Sequence, residues 1–150
     1  MAEKIRKGGA MWRGDLKSGK GTLSTESRAL YEQPFSYATR FEDKEGTNPE
    51  ELIAAAHAGC YSMAFANTLK KKGYEPEVIG VNAECTLQTG EGGTKISRLW
   101  LHVRGVVPGL SAEEFQRIAK EADQNCPVSN LLRPGTTIEH KVELVDALED

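Results

Sequence analysis

The sequence predicts an α+β fold in which helices pack against an antiparallel sheet. The first supporting observation is a helix signal after Gly46, where a capping residue, a proline and two glutamates precede a long apolar run. The second is the strict alternation of apolar and polar residues over positions 81–88, which is typical of a half-buried strand. The third is the order of segments: strands, a long helix, two strands, a helix and a final strand.

The length and charge of the chain limit what it can be. At 150 residues, with no repeat or evident linker, residues 1–150 are expected to form one domain. The net charge of −3 gives no electrostatic reason to expect nucleic acid or anionic lipid as a partner. The first residues lack the apolar core of a signal peptide, and the apolar stretch 52–69 is short and polar for a membrane span. We therefore expect a cytoplasmic protein that binds neither membrane nor nucleic acid.

Residues 4 to about 44 predict a strand-rich N-terminal sheet. Short alternating stretches occur on both sides of the glycine-containing segment KSGKG at 17–21, which is turn-like.

The central helix has start and stop signals at both ends. Asn48 or Thr47 can cap it, Pro49 suits the first helical position, and Gly73 after three lysines suits its end. Between these signals the helix is apolar on nearly all sides, so we expect it to be buried on most of them. One sheet in a chain of this length cannot cover that surface, which predicts that a partner subunit does.

The second half of the chain alternates strands and helices. Ser111 and Glu114 form a capping-box pattern at the start of the second long helix, and a short helix is expected after Cys126. The predicted elements are a strand at 81–88, a turn at 89–93, a strand at 95–105, a helix at 111–123, a short helix after 126 and a strand at 136–144.

The three cysteines differ in their surroundings. An odd number of widely spaced cysteines does not predict a structural disulfide framework. Cys85 is in register with the apolar face of its strand and is expected to be an inert core residue. Cys60, in the middle of the helix, is either a packed core residue or a reactive thiol held by a nearby positive group. Cys126 precedes Pro127 as a helix cap would, which places its sulfur near a helix N-terminus and favours the thiolate.

A metal site is a weaker alternative. His57 and Cys60 are three residues apart on one helical face, a spacing that can supply two ligands. Completing the site would require Cys126, Cys85 or a distant histidine. Since His102 and His140 each occur singly on a strand, where solvated or satisfied histidines are commoner, we predict no metal.

Arg40 and Glu50 could together activate a cysteine thiol. An arginine can stabilise a thiolate, and a carboxylate can orient that arginine. Glu50 and Cys60 lie ten residues apart, which is about 15 Å along a straight helix. The two also lie roughly 80° apart around its axis. They cannot meet within one helix, so we hypothesise a homodimer in which each active site combines residues from two copies.

Taken together, these residues resemble the osmotically inducible protein C (OsmC) family of peroxidases, relatives of the organic hydroperoxide resistance proteins. The resemblance covers nearly the full length. It rests on the segments Trp12–Ser27 (WRGDLKSGKGTLSTES), Thr39–Glu42 (TRFE), Gly46–Cys60 (GTNPEELIAAAHAGC), Val107–Gly109 (VPG) and Cys126–Ser129 (CPVS).

The resemblance implies an OsmC-like fold, with antiparallel sheets and a long buried central helix, in an intertwined homodimer without metal or flavin. It also implies thiol-dependent reduction of organic hydroperoxides, with hydrogen peroxide as a second candidate substrate. Cys60 would be the peroxidatic thiol and Cys126 the resolving one. Glu50 would orient the active-site arginine, for which Arg40 is the first candidate and Arg13 the second. A dithiol, for which the family suggests lipoylated proteins, would then reduce the Cys60–Cys126 disulfide.

Two functions from other classes remain open at this stage. One is a redox-sensing dimeric binding protein, in which the same disulfide would switch a surface without turnover. The other is a structural dimer module with inert, buried cysteines.

Overall fold

The computed structural model describes residues 2–149, which group into two compact units, one up to Leu52 and one from Ile53 onward. Runs of strands are followed by runs of helices along the chain, and this confirms the predicted α+β class. The elements are β1 (Gly8–Arg13), β2 (Lys20–Thr25), β3 (Gln33–Phe35), α1 (Tyr37–Phe41), α2 (Pro49–Lys71), β4 (Val78–Gly90), β5 (Gly93–Val106), α3 (Ala112–Asn125), α4 (Pro127–Leu132) and β6 (Thr137–Leu144).

The N-terminal unit contains an antiparallel sheet in the order β1–β2–β3, as the alternating segments predict. Trp12 on β1 packs against Phe35 on β3, with ring centroids 5.3 Å apart. Gly21 on β2 lies beneath both rings, where an added Cβ would come within 2.5 Å of Phe35 and 2.6 Å of Trp12. A glycine is therefore required for the aromatic pair to cross this strand.

Helix α1 corrects the sequence prediction, which extended the strand-rich region to about residue 44. Ser36 caps this helix: its side chain accepts from the backbone N–H of Thr39, whose hydroxyl accepts in turn from the backbone N–H of Ser36. This reciprocal pair of side-chain bonds supplies the backbone with partners that a strand would otherwise provide, so the helical turn is preferred.

Helix α2 begins and ends where the sequence predicts. Asn48 Oδ1 accepts from the backbone N–H of Glu51 at 2.8 Å, and Gly73 follows the helix with φ of +90°. One face is buried within the chain, whereas Met63 on another face is 76% exposed. Helix α2 could be buried on most sides only if something outside the chain covered the exposed face. That burial stays a prediction. Within residues 2–149, neither this helix nor any other has the length and apolar character needed to cross a membrane.

The C-terminal unit contains a three-stranded sheet in the order β4–β5–β6. Strands β4 and β5 form the predicted antiparallel hairpin, but β6 runs parallel to β5, so this sheet is mixed. The reason is the connection: helices α3 and α4 carry the chain back across the sheet, and such a crossover lets the next strand enter in the same direction. Ser111 caps α3 as predicted, while the Glu114 side chain pairs with Arg117.

The core of the C-terminal unit lies between the sheet and helices α2 and α3. Each element contributes the apolar residues that its periodicity predicts, and Tyr61 also donates its hydroxyl to the carbonyl of Ala119 on α3 at 2.8 Å. The fully buried members are Tyr61, Phe65 and Leu69 of α2, Leu101 and Val103 of β5, Phe115, Ile118 and Ala122 of α3, and Cys126.

Replacing the cap of α2 should measurably destabilise the protein. We expect Asn48→Ala to lower the free energy of unfolding by about 1 kcal/mol, because it leaves the N–H of Glu51 without its acceptor. Asn48→Asp keeps the acceptor oxygen but loses the Nδ2 donor to the carbonyl of Thr39, so it should recover only part of that loss. Urea unfolding at one fixed protein concentration measures both variants. Equal stability of Asn48→Ala and the wild type would contradict the assigned cap.

Candidate active site

The predicted arginine–glutamate pair forms within the N-terminal unit. Arg40 lies in the last turn of α1 and Glu50 in the first turn of α2. Arg40 donates to Glu50 Oε1 from Nε at 3.1 Å and from Nη2 at 2.9 Å. Glu50 is buried, whereas the side chain of Arg40 keeps 35% of its surface exposed. A buried carboxylate therefore fixes the direction of the guanidinium group while leaving part of it accessible.

Arg13, the second candidate arginine, lies elsewhere in the N-terminal unit. It is the last residue of β1 and is exposed. Because the carboxylate of Glu50 is engaged by Arg40, the geometry favours Arg40 as the arginine that Glu50 orients.

The C-terminal unit brings Cys60 and Cys126 together, although 66 positions separate them in the sequence. Cys60 lies in the third turn of α2, and Cys126 is the N-cap of α4. Their Sγ atoms are 3.3 Å apart, which is a hydrogen-bonded distance between two reduced thiols. The backbone N–H of Ser129 donates to Cys126 Sγ at 3.4 Å, as expected for a cysteine in the cap position.

The surroundings of Cys60 make its thiol less acidic. Burial raises the pKa of the Cys60 thiol, and the backbone N–H of Val128 offsets only part of that effect. The thiolate is the reactive form of a cysteine, so a raised pKa lowers the reactive fraction at neutral pH. A positive group beside Cys60 would favour the thiolate.

Cys85 lies on a different element from the other two cysteines. It occupies a half-buried position of β4, in the alternating register that the sequence predicts, and is paired with Leu99 of β5.

A buried contact that the sequence does not predict joins α2 to α4. His57 Nε2 lies 2.7 Å from Ser129 Oγ, and both residues are completely buried. Burial lowers the pKa of His57, so the ring is neutral at pH 7. The two residues are 72 positions apart, and a lone histidine and a lone serine carry no signal that pairs them. No group of three or more His, Cys, Asp or Glu side chains within residues 2–149 is placed to hold a metal ion.

Asp123 at the end of α3 forms a second polar cluster in this unit. It pairs with Arg133, and His140 Nε2 lies 3.1 Å from its Oδ1. Burial opposes the ionisation of Asp123, but His140, Arg133 and the hydroxyl of Ser129 outweigh it and lower its pKa to about 2. The carboxylate therefore stays charged throughout the physiological range.

The lowered pKa of Asp123 predicts a pH-dependent contribution to stability. Because the folded-state pKa lies below the value of 3.8 for an unperturbed aspartate, the contribution is complete above about pH 4 and is lost as the pH falls towards 2. We expect Asp123→Asn to cost roughly 2 kcal/mol of unfolding free energy at pH 7. The difference from the wild type should shrink below pH 4. Urea unfolding from pH 2 to 7 tests this, and a difference that is constant with pH would contradict it.

Comparisons with known proteins point to one family. The family model described as OsmC-like protein matches residues 42–141. Peroxiredoxin OsmC of Escherichia coli (strain K12) is 44% identical over 138 residues, which cover 92% of this chain and 96% of the relative. Organic hydroperoxide resistance protein-like 1 of Staphylococcus saprophyticus is 34% identical and covers 84% of this chain and 89% of its own length.

Solved structures show the same fold. The organic hydroperoxide resistance protein OhrB of Bacillus subtilis superimposes with a TM-score of 0.71 at 23% identity, covering 91% of this chain and 97% of that one. An organic hydroperoxide resistance protein from Elizabethkingia anophelis gives 0.70 at 25% identity, covering 97% of this chain and 100% of its own. From the matching family model and the extent of these similarities, the chain belongs to the OsmC-like protein family.

Proposed function

We propose that the protein is a cysteine-based peroxidase that reduces organic hydroperoxides to alcohols in defence against hydroperoxide stress. The observation that carries the proposal is the separation of 3.3 Å between the sulfur atoms of Cys60 and Cys126. The names of two relatives, a peroxiredoxin and an organic hydroperoxide resistance protein-like protein, support the same activity.

The reaction needs two thiols and an external dithiol. The thiolate of Cys60 attacks the terminal oxygen of the hydroperoxide, which breaks the O–O bond, releases the alcohol after protonation and leaves a sulfenic acid. The sulfur of Cys126 then attacks the sulfur of Cys60, which forms the disulfide and expels water. The dithiol returns both cysteines to thiols by exchange and is itself oxidised to a disulfide.

Arg40 is proposed to supply a positive charge beside Cys60. A guanidinium group would stabilise the thiolate and the negative charge that develops on the leaving oxygen. Glu50, which anchors Arg40, and Cys60 lie ten residues apart on one helix, a separation of about 15 Å along its axis. We therefore propose that Arg40 and Glu50 of one subunit complete the site around Cys60 of the other.

The exposed face of α2 supports a homodimer. Ala55, Ala56, Gly59 and Met63 on this face are all exposed in the single chain, although the helix is almost entirely apolar in this region. An apolar helical face of this kind is normally covered. A second copy of the chain is the proposed cover.

An apolar pocket beside Arg40 supports an organic substrate. Its volume is about 290 Å³, and it lies in the N-terminal unit. Such a pocket suits the carbon chain of an organic hydroperoxide better than a small polar peroxide. Its lining residues are Trp12, Leu16, Phe35, Ser36, Tyr37, Arg40 and Phe41.

Four other expectations from the sequence remain predictions. They are a single domain over residues 1–150, a cytoplasmic location, a lipoylated protein as the source of the reducing dithiol, and possible activity on hydrogen peroxide.

Replacing each cysteine should separate their roles. Cys60→Ser should abolish the reduction of tert-butyl hydroperoxide, because it removes the nucleophile. Cys126→Ser should complete one turnover and then hold Cys60 as a sulfenic or further oxidised acid. Cys85→Ser is the matched control and should keep the activity. Dihydrolipoamide-dependent turnover and intact mass measure these outcomes, and equal activity of the first two variants would overturn the assigned roles.

Mixing two inactive variants tests the composite site. Cys60→Ser subunits keep Arg40, and Arg40→Ala subunits keep Cys60, so a mixed dimer would contain one complete site. Unfolding and refolding equal amounts together should restore about a quarter of the wild-type activity, since half of the dimers are mixed and each has one of two sites. Arg13→Ala is the matched control for Arg40→Ala and should stay active. If the mixture remains inactive while each variant refolds as a dimer, the sites are not shared.

The same assays separate enzyme from sensor and from structural module. A peroxidase consumes many equivalents of hydroperoxide per subunit when the dithiol is present. A redox sensor would stop after one stoichiometric oxidation. A structural module would keep its mass unchanged after one equivalent of peroxide, whereas formation of an intramolecular disulfide removes two hydrogen atoms.

A further inference from the structure

We propose that His57 and Ser129 are positioning residues that hold the sulfur of Cys126 against Cys60. This inference deepens the proposed peroxidase function and rests on it only for the second of the two experiments below. Neither residue touches the reacting sulfur atoms with its side chain; each acts through the helix that carries a cysteine.

The position of the contact in the fold carries the inference. His57 lies on α2 one helical turn before Cys60, and Ser129 lies on α4 three residues after Cys126. The contact between His57 Nε2 and Ser129 Oγ, at 2.7 Å, therefore joins the same two helices that carry the two sulfur atoms. Ser129 also donates its backbone N–H to Cys126 Sγ at 3.4 Å. Ser129 thus holds α4 to α2 through its side chain and orients the thiol of Cys126 through its backbone N–H.

Because the His57–Ser129 contact is buried, it restricts the movement of α4 relative to α2. His57 and Ser129 are both 0% exposed, so water cannot take the place of either partner while the helices stay packed. Leaving a buried polar group without a partner costs much more free energy than exchanging one hydrogen bond for another. Helix α4 is also short, with six residues, and it depends on such tertiary contacts for its placement.

One proton lies between the neutral His57 ring and the Ser129 hydroxyl. Either Nε2 donates to Oγ or Oγ donates to Nε2, and the contact holds the two helices together in both cases. His57 Nδ1 has no hydrogen-bond partner among residues 2–149, so Nε2 supplies the hydrogen bond of this ring to the protein.

The consequence concerns the resolving step. Two thiols on fixed supports form a disulfide with a high effective concentration, and freedom of either support lowers it. Loss of the His57–Ser129 contact should therefore leave attack on peroxide by Cys60 intact and slow its capture by Cys126.

The first experiment measures the effective concentration of the two thiols without peroxide. The reduced protein is equilibrated with glutathione and glutathione disulfide, the thiols are alkylated, and the intact mass is measured. Each Cys60–Cys126 disulfide that forms reduces one glutathione disulfide to two thiols. We expect Ser129→Ala and His57→Leu to lower the effective concentration about tenfold, as loss of one buried hydrogen bond implies. His57→Gln, which can retain a donor near the position of Nε2, should recover most of the loss.

Ile118→Val is the control for a purely structural effect. Ile118 is fully buried in the same core, and removal of one methyl group destabilises the fold without touching the contact. This variant should keep the effective concentration within about twofold of the wild type. An equal fall in Ile118→Val, or wild-type values in both Ser129→Ala and His57→Leu, would overturn the inference. Circular dichroism restricts the comparison to folded protein, and His57→Leu replaces Ser129→Ala if the latter does not fold.

The second experiment follows the fate of oxidised Cys60. One equivalent of cumene hydroperoxide should convert the wild type to the disulfide, whereas Ser129→Ala should accumulate sulfenic acid at an unchanged rate of peroxide consumption. A second equivalent of hydroperoxide should then convert part of that sulfenic acid to sulfinic acid. If the wild type consumes no peroxide but the glutathione experiment gives the expected order, the peroxidase function fails and the positioning role stands. If the wild type forms the disulfide and the Ser129→Ala product is the same, the positioning role fails and the peroxidase function stands.

Discussion

The packing of α4 against α2 is the constraint on which the proposed chemistry depends. A cysteine in the middle of an apolar helix is ordinarily a core residue, and burial alone makes Cys60 less acidic. The cap of a second helix places Cys126 at 3.3 Å from it. A helix cap is a well-defined position because the backbone N–H groups behind it need an acceptor, so the requirement of α4 for a cap also locates the second sulfur.

Each unit supplies one part of the chemistry that we propose. The N-terminal unit orients a guanidinium group by means of a buried carboxylate, and the C-terminal unit holds two thiols at its apolar core. Glu50 and Cys60 lie ten residues apart on α2, about 15 Å along its axis, and this separation is the reason for proposing that the activity depends on assembly.

The sequence predicts most of this structure where the signal is local. The cap at Asn48, the glycine after α2, the alternation in β4 and the Cys126–Pro127 start of α4 are each determined within a few residues. The fold class and the family are confirmed for the same reason, because many local signals agree.

The errors and omissions all involve non-local or competing interactions. Helix α1 forms because two hydroxyl groups satisfy the backbone in a segment that also resembles a strand. The direction of β6 is set by the crossover before it and leaves no trace in its own alternation. The contact between His57 and Ser129 joins positions 72 apart.

The short distance between the two sulfur atoms also bears on how the protein can communicate its oxidation state. A disulfide bond is about 2.0 Å long, so closing a gap of 3.3 Å requires only a small local displacement. A partner can read a switch only if the two states offer it different surfaces, and its preference between them cannot exceed that difference in binding free energy. Because Cys126 is fully buried, a displacement of this size would leave the exterior of the oxidised chain nearly the same as that of the reduced one. We therefore expect the protein to be a poor carrier of redox information.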